Sequence, residues 1–229
     1  MTKYLEPTPW DKRNFHIDTY QLNEYSEAAL AETKKREGHF TIKVDPFADT
    51  ANLKKYGFYY ADTLIEPIGK KDKLIRVDQE NIRFTRDFRK EDILDIAEEA
   101  FAGGRFHRDF HIPNHMADTR YRNWVNDLID KDLILALELN GSMAGFFAYQ
   151  NDQILLLAMH RNYRGKGLAT AFASSCVQEQ FRLTGHDTLR TSISPTNPAS
   201  LNVFISLGFR LNGAVDVYHK LNGTLPDGG

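Results

Sequence analysis

The sequence contains very little cysteine and no long apolar run. Cys176 is the only cysteine among the 229 residues, which excludes an internal disulfide. No apolar stretch approaches the roughly 20 residues that a membrane-spanning helix needs. Residues 1–7 also lack the apolar core of a secretory signal peptide. We therefore expect a cytoplasmic protein that has no membrane partner.

The chain also lacks an excess of charge of either sign. Its 29 Lys and Arg residues and 31 Asp and Glu residues give a formal net charge of −2, which provides no general attraction to nucleic acid. Hydrophobic residues make up 41% of the sequence, enough for a sizeable core. We expect no nucleic-acid partner, and a small molecule is the expected ligand.

The clearest local pattern is a strand, a glycine-rich turn and a helix in succession. An apolar run at 154–159 leads into the segment 160–170, His-Arg-Asn-Tyr-Arg-Gly-Lys-Gly-Leu-Ala-Thr. Apolar residues then recur at intervals of three and four as far as Val177, as they do on one face of a helix. Gly165 and Gly167 permit a tight turn and the close approach of a ligand.

This turn predicts an anion site. The N–H groups of the first helical turn have no partners within the helix, and the helix dipole makes this end positive. Arg164 and Lys166 add formal charge. A dinucleotide fingerprint, Gly-x-Gly-x-x-Gly, fits Gly165 and Gly167, but Thr170 replaces its third glycine. A strand-to-helix turn without a ligand is the other interpretation.

A second pattern, Arg-x-x-Gly-x-Ala, is met by Arg164, Gly167 and Ala169. It resembles the pyrophosphate loop of the GNAT superfamily of acetyl-CoA-dependent N-acetyltransferases. The segment 197–209, Asn-Pro-Ala-Ser-Leu-Asn-Val-Phe-Ile-Ser-Leu-Gly-Phe, is similar to that family's second signature. The resemblance covers residues 80–222. It implies the α/β mixed-sheet acyl-CoA N-acyltransferase fold, acetyl-CoA as cosubstrate and a small-molecule amine as acceptor.

The resemblance also implies which residues hold acetyl-CoA. In this family the strand before the loop diverges from its neighbour, and its free backbone N–H groups bind the pantetheine arm and the thioester oxygen. Donors at that oxygen stabilise the oxyanion of the transition state. The expected cosubstrate-binding residues are Leu157, Ala158, Met159, Arg164, Gly165, Lys166, Gly167, Leu168, Ala169, Thr170, Asn197 and Asn202.

The catalytic acid does not follow the family pattern. The usual acid is a Tyr four residues before the Gly of the Gly-Phe pair, and Phe204 stands there instead. We expect Tyr218, on the last strand, to replace it; a packed aromatic side chain, or a proton supplied by the attacking ammonium, are the alternatives. Glu138, His107 and Asp109 are candidates for the base, as is a chain of water molecules.

Arg105, His107 and Asp109 are also expected to bind the acceptor. They lie in an irregular segment that would cover the pocket, and guanidinium groups suit phosphate geometry; a solvated surface is the alternative. The whole chain further resembles the bacterial dTDP-fucosamine acetyltransferases, with matches such as Leu-Glu-Pro-Thr-Pro-Trp at 5–10. That resemblance implies a homodimer and a nucleotide-linked amino sugar as acceptor. Another small amine, or a non-catalytic CoA-binding sensor, are the alternatives.

No metal is expected. His107, His111 and His115 recur every four residues, a spacing that would place three imidazoles on one helix face. Pro113 falls within that stretch, and a proline in a helix interior breaks the helix that this arrangement requires. Cys176 lies on the apolar face of the helix after the glycine-rich turn, where a thiol is expected to be buried and inert.

Two units and a tail are predicted along the chain. Residues 1–75 are expected to form an N-terminal α+β subdomain that partly repeats the acetyltransferase core, because residues 52–58 and 202–209 share a pattern that ends in Gly-Phe. Residues 76–222 are expected to form the acetyltransferase domain, and 223–229 a loose C-terminal tail.

Local patterns predict most of the individual elements. Alternation from Phe15 to Leu22 indicates a strand, and so does the stretch 59–65, which is expected to end before Pro67. Residues 69–73 are polar and basic, as in a linker. Asn140-Gly141 is expected to be the turn of a β-hairpin.

Overall fold

A computed structural model of the chain describes residues 3–101 and 103–224, and these form two compact units. Unit 1 consists of residues 3–64, Gly103–Arg120 and residues 214–224. Unit 2 consists of residues 65–101 and Tyr121–Gly213. Within the described residues, no helix has the length and apolar character needed to cross a membrane. The predicted tail lies outside the described residues from position 225 onward.

Unit 1 is built on a small mixed sheet. Strands β1 (Leu5–Pro7) and β2 (Thr19–Leu22) pair antiparallel, β2 and β3 (Gly38–Val44) pair parallel, and β3 and β10 (Arg210–Asn222) pair antiparallel. Three short helices connect the strands. The elements that begin in the first 64 residues are β1 (Leu5–Pro7), α1 (Pro9–Phe15), β2 (Thr19–Leu22), α2 (Glu27–Glu32), β3 (Gly38–Val44), α3 (Ala51–Lys55) and β4 (Tyr59–Lys70).

The two faces of the unit 1 sheet are covered by different residues. Phe40, Ile42 and Tyr218 lie on the face that packs with α2, in a cluster around Leu30. His39 and His219 lie on the opposite face, where Phe15, Phe106, Ile112, Met116 and Ala117 form a second, smaller cluster. Side chains alternate between faces along a strand, so each strand contributes to both clusters.

Unit 2 contains five strands of its own and the end of β4. Four strands pair antiparallel in chain order: β5 (Ile82–Thr85), β6 (Ile134–Leu139), β7 (Ser142–Gln150) and β8 (Gln153–Met159). Strand β9 (Thr188–Thr191) pairs parallel with β8 and antiparallel with the last residues of β4. The remaining elements are β5 (Ile82–Thr85), α4 (Lys90–Ala100), α5 (Asn114–Asp130), β6 (Ile134–Leu139), β7 (Ser142–Gln150), β8 (Gln153–Met159), α6 (Leu168–Thr184), β9 (Thr188–Thr191), α7 (Pro198–Ser206) and β10 (Arg210–Asn222). Helix α5 begins in unit 1, and β10 ends in it.

Both faces of the unit 2 sheet are covered by helices. Phe172, Cys176 and Phe181 on α6 are buried against one face. Ile93 and Ile96 on α4 are buried against the other, together with the end of α5. The hairpin between β6 and β7 turns at Asn140 and Gly141, whose φ angles are 52° and 76°, which confirms the predicted turn.

The strand predicted from Phe15 to Leu22 is wrong in its first half. Phe15 is the last residue of helix α1, and β2 begins only at Thr19. Pro9 stands in the first turn of α1, a position where its fixed φ and missing N–H favour a helix start. The prediction from the alternating pattern therefore began the strand too early, at the last residue of a helix.

The predicted strand end before Pro67 and the predicted linker at 69–73 are also wrong. Strand β4 continues through Pro67 to Lys70, and Ile68, Gly69 and Lys70 pair with β9. Gly69 is needed there because a Cβ atom would come within 2.5 Å of the Phe209 ring. A short 3₁₀ turn, Lys71–Lys73, replaces the linker. The predicted unit boundary after residue 75 stays a prediction.

Candidate active site

The glycine-rich turn connects β8 to α6, as the sequence predicts. Gly165 and Gly167 have φ angles of 71° and 74°, in the left-handed region that favours glycine. A Cβ atom at either position would meet no atom within 4 Å, so the space beside the turn is open. Gly167 is the N-cap of α6 and supplies no side-chain hydrogen bond. The N–H groups of the first turn, Leu168 to Thr170, are therefore available to an anion.

Arg164 connects this turn to β8 and to α4. Its Nε atom donates to the carbonyl of Met159 at 2.8 Å, and its Nη2 atom donates to the carbonyl of Glu99 at 3.4 Å. The guanidinium group therefore holds the end of β8 and the end of α4 while its charge stays at the turn. Lys166 lies over the Tyr163 ring, with its Nζ atom 5.7 Å from the ring centroid.

Strand β8 has an open edge beside the turn. It pairs with β9 at Gln153 and Ile154, and within the described chain the pairing goes no further along β8. His160 donates its backbone N–H to the carbonyl of Ala144 on β7. Because successive N–H groups of a strand point to opposite sides, this bond shows which N–H groups of β8 face β7. The N–H of Ala158 consequently faces β7, whereas those of Leu157 and Met159 face the open edge. Two of the three predicted backbone donors thus point towards the unpaired edge of β8.

The two asparagines of the second signature lie at the start of helix α7 and on it. Asn197 caps the helix, because its Oδ1 atom accepts a hydrogen bond from the Ser200 N–H at 3.1 Å. Asn202 is exposed on the same helix. Phe204 is 2% exposed and packs 5.2 Å from Phe209, so it belongs to the core of unit 2.

The predicted residues of unit 1 do not form one site. Tyr218 is half-buried on the α2 face of the sheet, with its ring edge-on to Tyr60 at 5.8 Å. Asp109 contacts His39 and His219, which lie on the opposite face. The structure therefore does not bring the predicted acid next to Asp109.

Asp109 is enclosed by hydrogen-bond donors. It is 1% exposed, and its Oδ2 atom accepts from His39 Nε2 at 2.8 Å and from His219 Nδ1 at 2.7 Å. Its Oδ1 atom accepts from the Tyr59 hydroxyl at 2.7 Å and from the His111 N–H at 3.0 Å. Burial opposes ionisation, but the hydrogen bonds from His219 and His39 outweigh it and lower the pKa of the Asp109 carboxyl.

Burial also opposes the charged form of His219, and here its effect prevails over that of the hydrogen bond. Desolvation lowers the pKa of this fully buried imidazole to about 3, against the opposing hydrogen bond to Asp109. The ring is therefore neutral at physiological pH and carries its proton on Nδ1. Its Nε2 atom is buried without a hydrogen-bond partner among the described residues. Phe106 stacks on the ring at 5.2 Å.

Each of the remaining candidate residues contacts another side chain. His107 contacts Asp118, with 2.8 Å between Nε2 and Oδ1. Glu138 forms an ion pair with Arg83, directly opposite it on β5. Arg105 lies over the Phe106 ring at 4.9 Å. His107, His111 and His115 do not share a helix face, as expected from Pro113, since His107 and His111 precede α5.

Sequence reasoning missed the grouping of His39, Asp109 and His219. These residues are separated by 70 and 110 positions, so no local spacing connects them. The available signal was weak: a histidine inside each of two alternating apolar strands. A polar residue at an inward position of a strand indicates a partner, but it does not identify that partner.

Comparison with known proteins identifies a family for most of unit 2. The family model for the acetyltransferase (GNAT) domain matches residues 84–210, more than half of the chain. This span contains the open edge of β8, the glycine-rich turn and α7. No curated protein sequence gives a significant match.

Solved structures share the fold at low identity. A GCN5-related N-acetyltransferase from Sphaerobacter thermophilus is 12% identical, with 96% of this chain and 77% of that chain covered and a TM-score of 0.63. A functionally unknown conserved protein from Staphylococcus epidermidis is 11% identical, with 97% and 93% covered and the same TM-score. A tandem GNAT protein from the clavulanic acid biosynthesis pathway is 13% identical, with 90% and 76% covered and a TM-score of 0.55.

The fold is thus the mixed-sheet GNAT fold that the sequence predicts. GNAT domains use acetyl-CoA and act on small-molecule acceptors, as expected from the resemblance. Because the family model covers most of unit 2 and more than half of the chain, the protein belongs to the GNAT acetyltransferase family and is an acetyl-CoA-dependent N-acetyltransferase.

Proposed function

We propose that this acetyltransferase transfers the acetyl group of acetyl-CoA to a primary amine of a nucleotide-linked amino sugar. The observation that carries the transferase part is the open edge of β8 beside the uncapped end of α6. The acceptor class is supported by the end-to-end resemblance in sequence.

Acetyl-CoA fits the residues present in unit 2. The N–H groups of Leu168, Ala169 and Thr170 would hold the pyrophosphate, since they lack partners within the helix. Gly165 and Gly167 leave open the space that side chains would fill. Bound acetyl-CoA supplies an acetyl group activated as a thioester. The other predicted residues, Arg164, Lys166, Asn197 and Asn202, would shape and charge this region.

The backbone of β8 would stabilise the transition state. The N–H groups of Leu157 and Met159 face the open edge, and we propose that one of them would donate to the oxygen on which negative charge develops. Removing one such donor commonly costs about 3 kcal/mol of transition-state stabilisation. A backbone donor is held by the strand and needs no rearrangement during the reaction.

Tyr218 remains the proposed proton donor. Arg105 and His107 remain proposed acceptor residues, whereas Asp109 is 1% exposed and its oxygens already accept four hydrogen bonds. The Tyr218 hydroxyl makes no hydrogen bond within the described part of the chain, which leaves its proton available. A Tyr218→Phe variant tests this directly: turnover should fall while the KM for acetyl-CoA stays constant. Full turnover by the variant would remove Tyr218 as the acid without affecting the family assignment.

A screen for acetyl-CoA consumption tests the acceptor. Nucleotide-linked amino sugars should be acetylated with a higher kcat/KM than amino acids, polyamines or aminoglycosides. A Gly167→Glu variant serves as the matched negative control, because its bulk and charge would oppose the pyrophosphate. A preference for another small amine would overturn the acceptor proposal and leave the transferase assignment in place.

The proposal extends to the domain organisation. Gly57-Phe58 and Gly208-Phe209 each follow a short helix and precede a strand, and their glycines have φ angles of 81° and 91°. Phe58 and Phe209 are both buried. This parallel supports a partial repeat of the acetyltransferase core within residues 1–75. A homodimer and a cytoplasmic location are further parts of the proposal, and sedimentation equilibrium tests the first.

A further inference from the structure

Three side chains of unit 1 that are of types able to bind a metal ion lie close together in its interior. The atoms His39 Nε2, Asp109 Oδ2 and His219 Nδ1 all lie within 4.8 Å of one another. The three residues are 2%, 1% and 0% exposed. Buried groups of this kind are uncommon in a core unless they are paired or bind an ion.

The two imidazoles are held by neighbouring strands. In the antiparallel pair of β3 and β10, His39 lies opposite Leu221 and Thr41 lies opposite His219. His39 and His219 are therefore diagonal neighbours on one face of the sheet, a relation that brings long side chains into contact. Strands hold side chains more precisely than loops do, so the two imidazoles are kept close to each other.

The carboxylate is oriented by groups outside the cluster. Tyr59 donates its hydroxyl to Asp109 Oδ1, and His111 donates its backbone N–H to the same oxygen. His111 Nδ1 in turn lies 3.0 Å from the Tyr59 hydroxyl. One carboxylate oxygen is thereby occupied and the other is directed at both imidazoles. Ligating carboxylates in metal sites are held in this way.

We propose that His39, Asp109 and His219 bind a divalent transition-metal ion, with zinc as the expected ion. Two imidazole nitrogens and one carboxylate oxygen suit zinc, whereas calcium and magnesium prefer oxygen ligands. Three protein ligands leave a fourth position for water. The proposal concerns unit 1 alone and does not depend on the acetyl acceptor.

Binding requires a small rearrangement. Ligand atoms at 2.0–2.1 Å from zinc lie roughly 3.3 Å apart, so Asp109 Oδ2 must withdraw from the ring nitrogens and those nitrogens must approach each other. Each ring then carries its proton on the other nitrogen, Nδ1 in His39 and Nε2 in His219. The latter has no partner among the described residues. We therefore expect weaker binding than at sites whose imidazoles are both hydrogen-bonded.

The site differs from the histidine spacing considered in the sequence. His107 contacts Asp118, and His111 supports Asp109 through Tyr59 and does not approach the ring nitrogens as a ligand. The proposed ligands come from three distant parts of the chain. The proposal thus revises the expectation that the protein binds no metal.

Metal titration of the full-length protein tests the proposal. Protein stripped with a chelator should bind one Zn²⁺ per chain in competition with a chromophoric chelator, and its Tm should rise, as it does for any ligand of the folded state. Co²⁺ should give visible ligand-field bands of a four- or five-coordinate ion. The absence of saturable one-to-one binding by the unmodified protein would overturn the proposal.

Substitutions locate the bound ion. His39→Gln and His219→Gln should each abolish stoichiometric binding, and Tyr59→Phe should weaken it roughly 10- to 100-fold by releasing the carboxylate. His115→Gln removes an exposed imidazole of the same segment and should bind as the unmodified protein does. Unchanged binding by a folded His219→Gln variant would contradict the assignment.

A measurement on the unmodified protein covers the case in which a ligand variant does not fold. Zn²⁺ should shift the imidazole ¹⁵N resonances of two histidines, and these must be buried ones that exchange slowly with solvent. Shifts confined to exposed histidines would place the ion elsewhere and overturn the proposal.

Discussion

Tyr218 and His219 are consecutive residues of β10, and their side chains lie on opposite faces of the unit 1 sheet. Tyr218 packs with the cluster around Leu30, and His219 bonds to Asp109 on the other side. A change at one residue should therefore leave the surroundings of the other intact. This separation allows the proposed acid and the proposed metal site to be tested independently.

Arg164→Lys distinguishes two roles of the arginine. Lysine keeps the charge but cannot reproduce the two bonds to the carbonyls of Met159 and Glu99. If Arg164 acts mainly by fixing the turn, the KM for acetyl-CoA should rise roughly tenfold, as expected for the loss of about 1.4 kcal/mol of hydrogen bonding. Steady-state kinetics with Arg164→Gln as the charge-free companion gives the measurement. Full rescue by lysine would show that charge is the important property.

Phe204→Tyr should not restore a catalytic acid. Phe204 is 2% exposed inside the core of unit 2, so the added hydroxyl would be buried among apolar side chains. An unpaired buried hydroxyl costs about 1–3 kcal/mol, and we expect that loss in the free energy of unfolding with no gain in kcat. Urea unfolding and a single-substrate assay measure both. A higher kcat would mean that the ring edge reaches the reacting groups.

Asp109→Asn should destabilise the metal-free protein strongly. The amide cannot accept from all four donors now directed at the carboxylate, and breaking a buried charged network typically costs about 3–5 kcal/mol. Asp118→Asn is the matched control, because that side chain is partly exposed and pairs with a single histidine. Equal losses in the two variants, measured by urea unfolding, would contradict the importance of the enclosed network.

Lys220 should give the stability a characteristic pH dependence. The side chain is buried, donates to Thr33 Oγ1 and lies near the rings of Phe40 and Phe58. Burial lowers the pKa of its ammonium group, so between the folded and unfolded pKa values the unfolded chain binds more protons. Stability from this group therefore rises with pH across that interval.

The variant Lys220→Met isolates this effect. Methionine suits the apolar surroundings, so the variant should be at least as stable as the unmodified protein near neutrality. Its advantage should shrink as the pH rises towards the ordinary lysine pKa, since only the unmodified protein is relieved of a buried charge. Free energies of unfolding at several alkaline pH values provide the test, and parallel profiles would contradict it.

Gly69→Ala tests the reason for a glycine inside β4. The new methyl group would come within 2.5 Å of the Phe209 ring, and overpacking of this kind costs about 1–3 kcal/mol. Gly213→Ala is the control, because a Cβ atom there meets nothing within 4 Å and its φ angle is not in the left-handed region. Chemical unfolding should separate the two variants clearly; a neutral Gly69→Ala would show that Phe209 moves easily.

The sequence predicted the parts of the fold whose signals are local. The apolar run before Gly165, the helical repeat after it and the Asn140-Gly141 turn each concern residues within about one element of each other. Pro67 and Gly69 misled the interpretation because their usual meaning, a strand end or a linker, was overridden by pairing with β9. The propensity of a residue is a weak guide where tertiary contacts decide the outcome.

Of the candidate sites, too, only the one formed by contiguous residues could be predicted from the sequence. The turn at Gly165 and Gly167 is contiguous, so its chemistry was readable from spacing. Asp109 was recognised as a polar residue in an irregular segment, but its two imidazole partners come from strands 70 and 110 residues away. Only the register of β3 and β10 brings those strands together, and register is set by the whole sheet.

Unit 1 draws its strands from both the beginning and the end of the chain, with β10 supplying the neighbour of β3. During synthesis on the ribosome, one edge of β3 therefore stays unpaired until residues 216–222 of β10 have emerged. Nascent chains halted before Ala214 should expose that edge to chaperones or to one another. A stop codon before Ala214 would consequently leave unit 1 without one of its strands, although residues 3–64 had already been made.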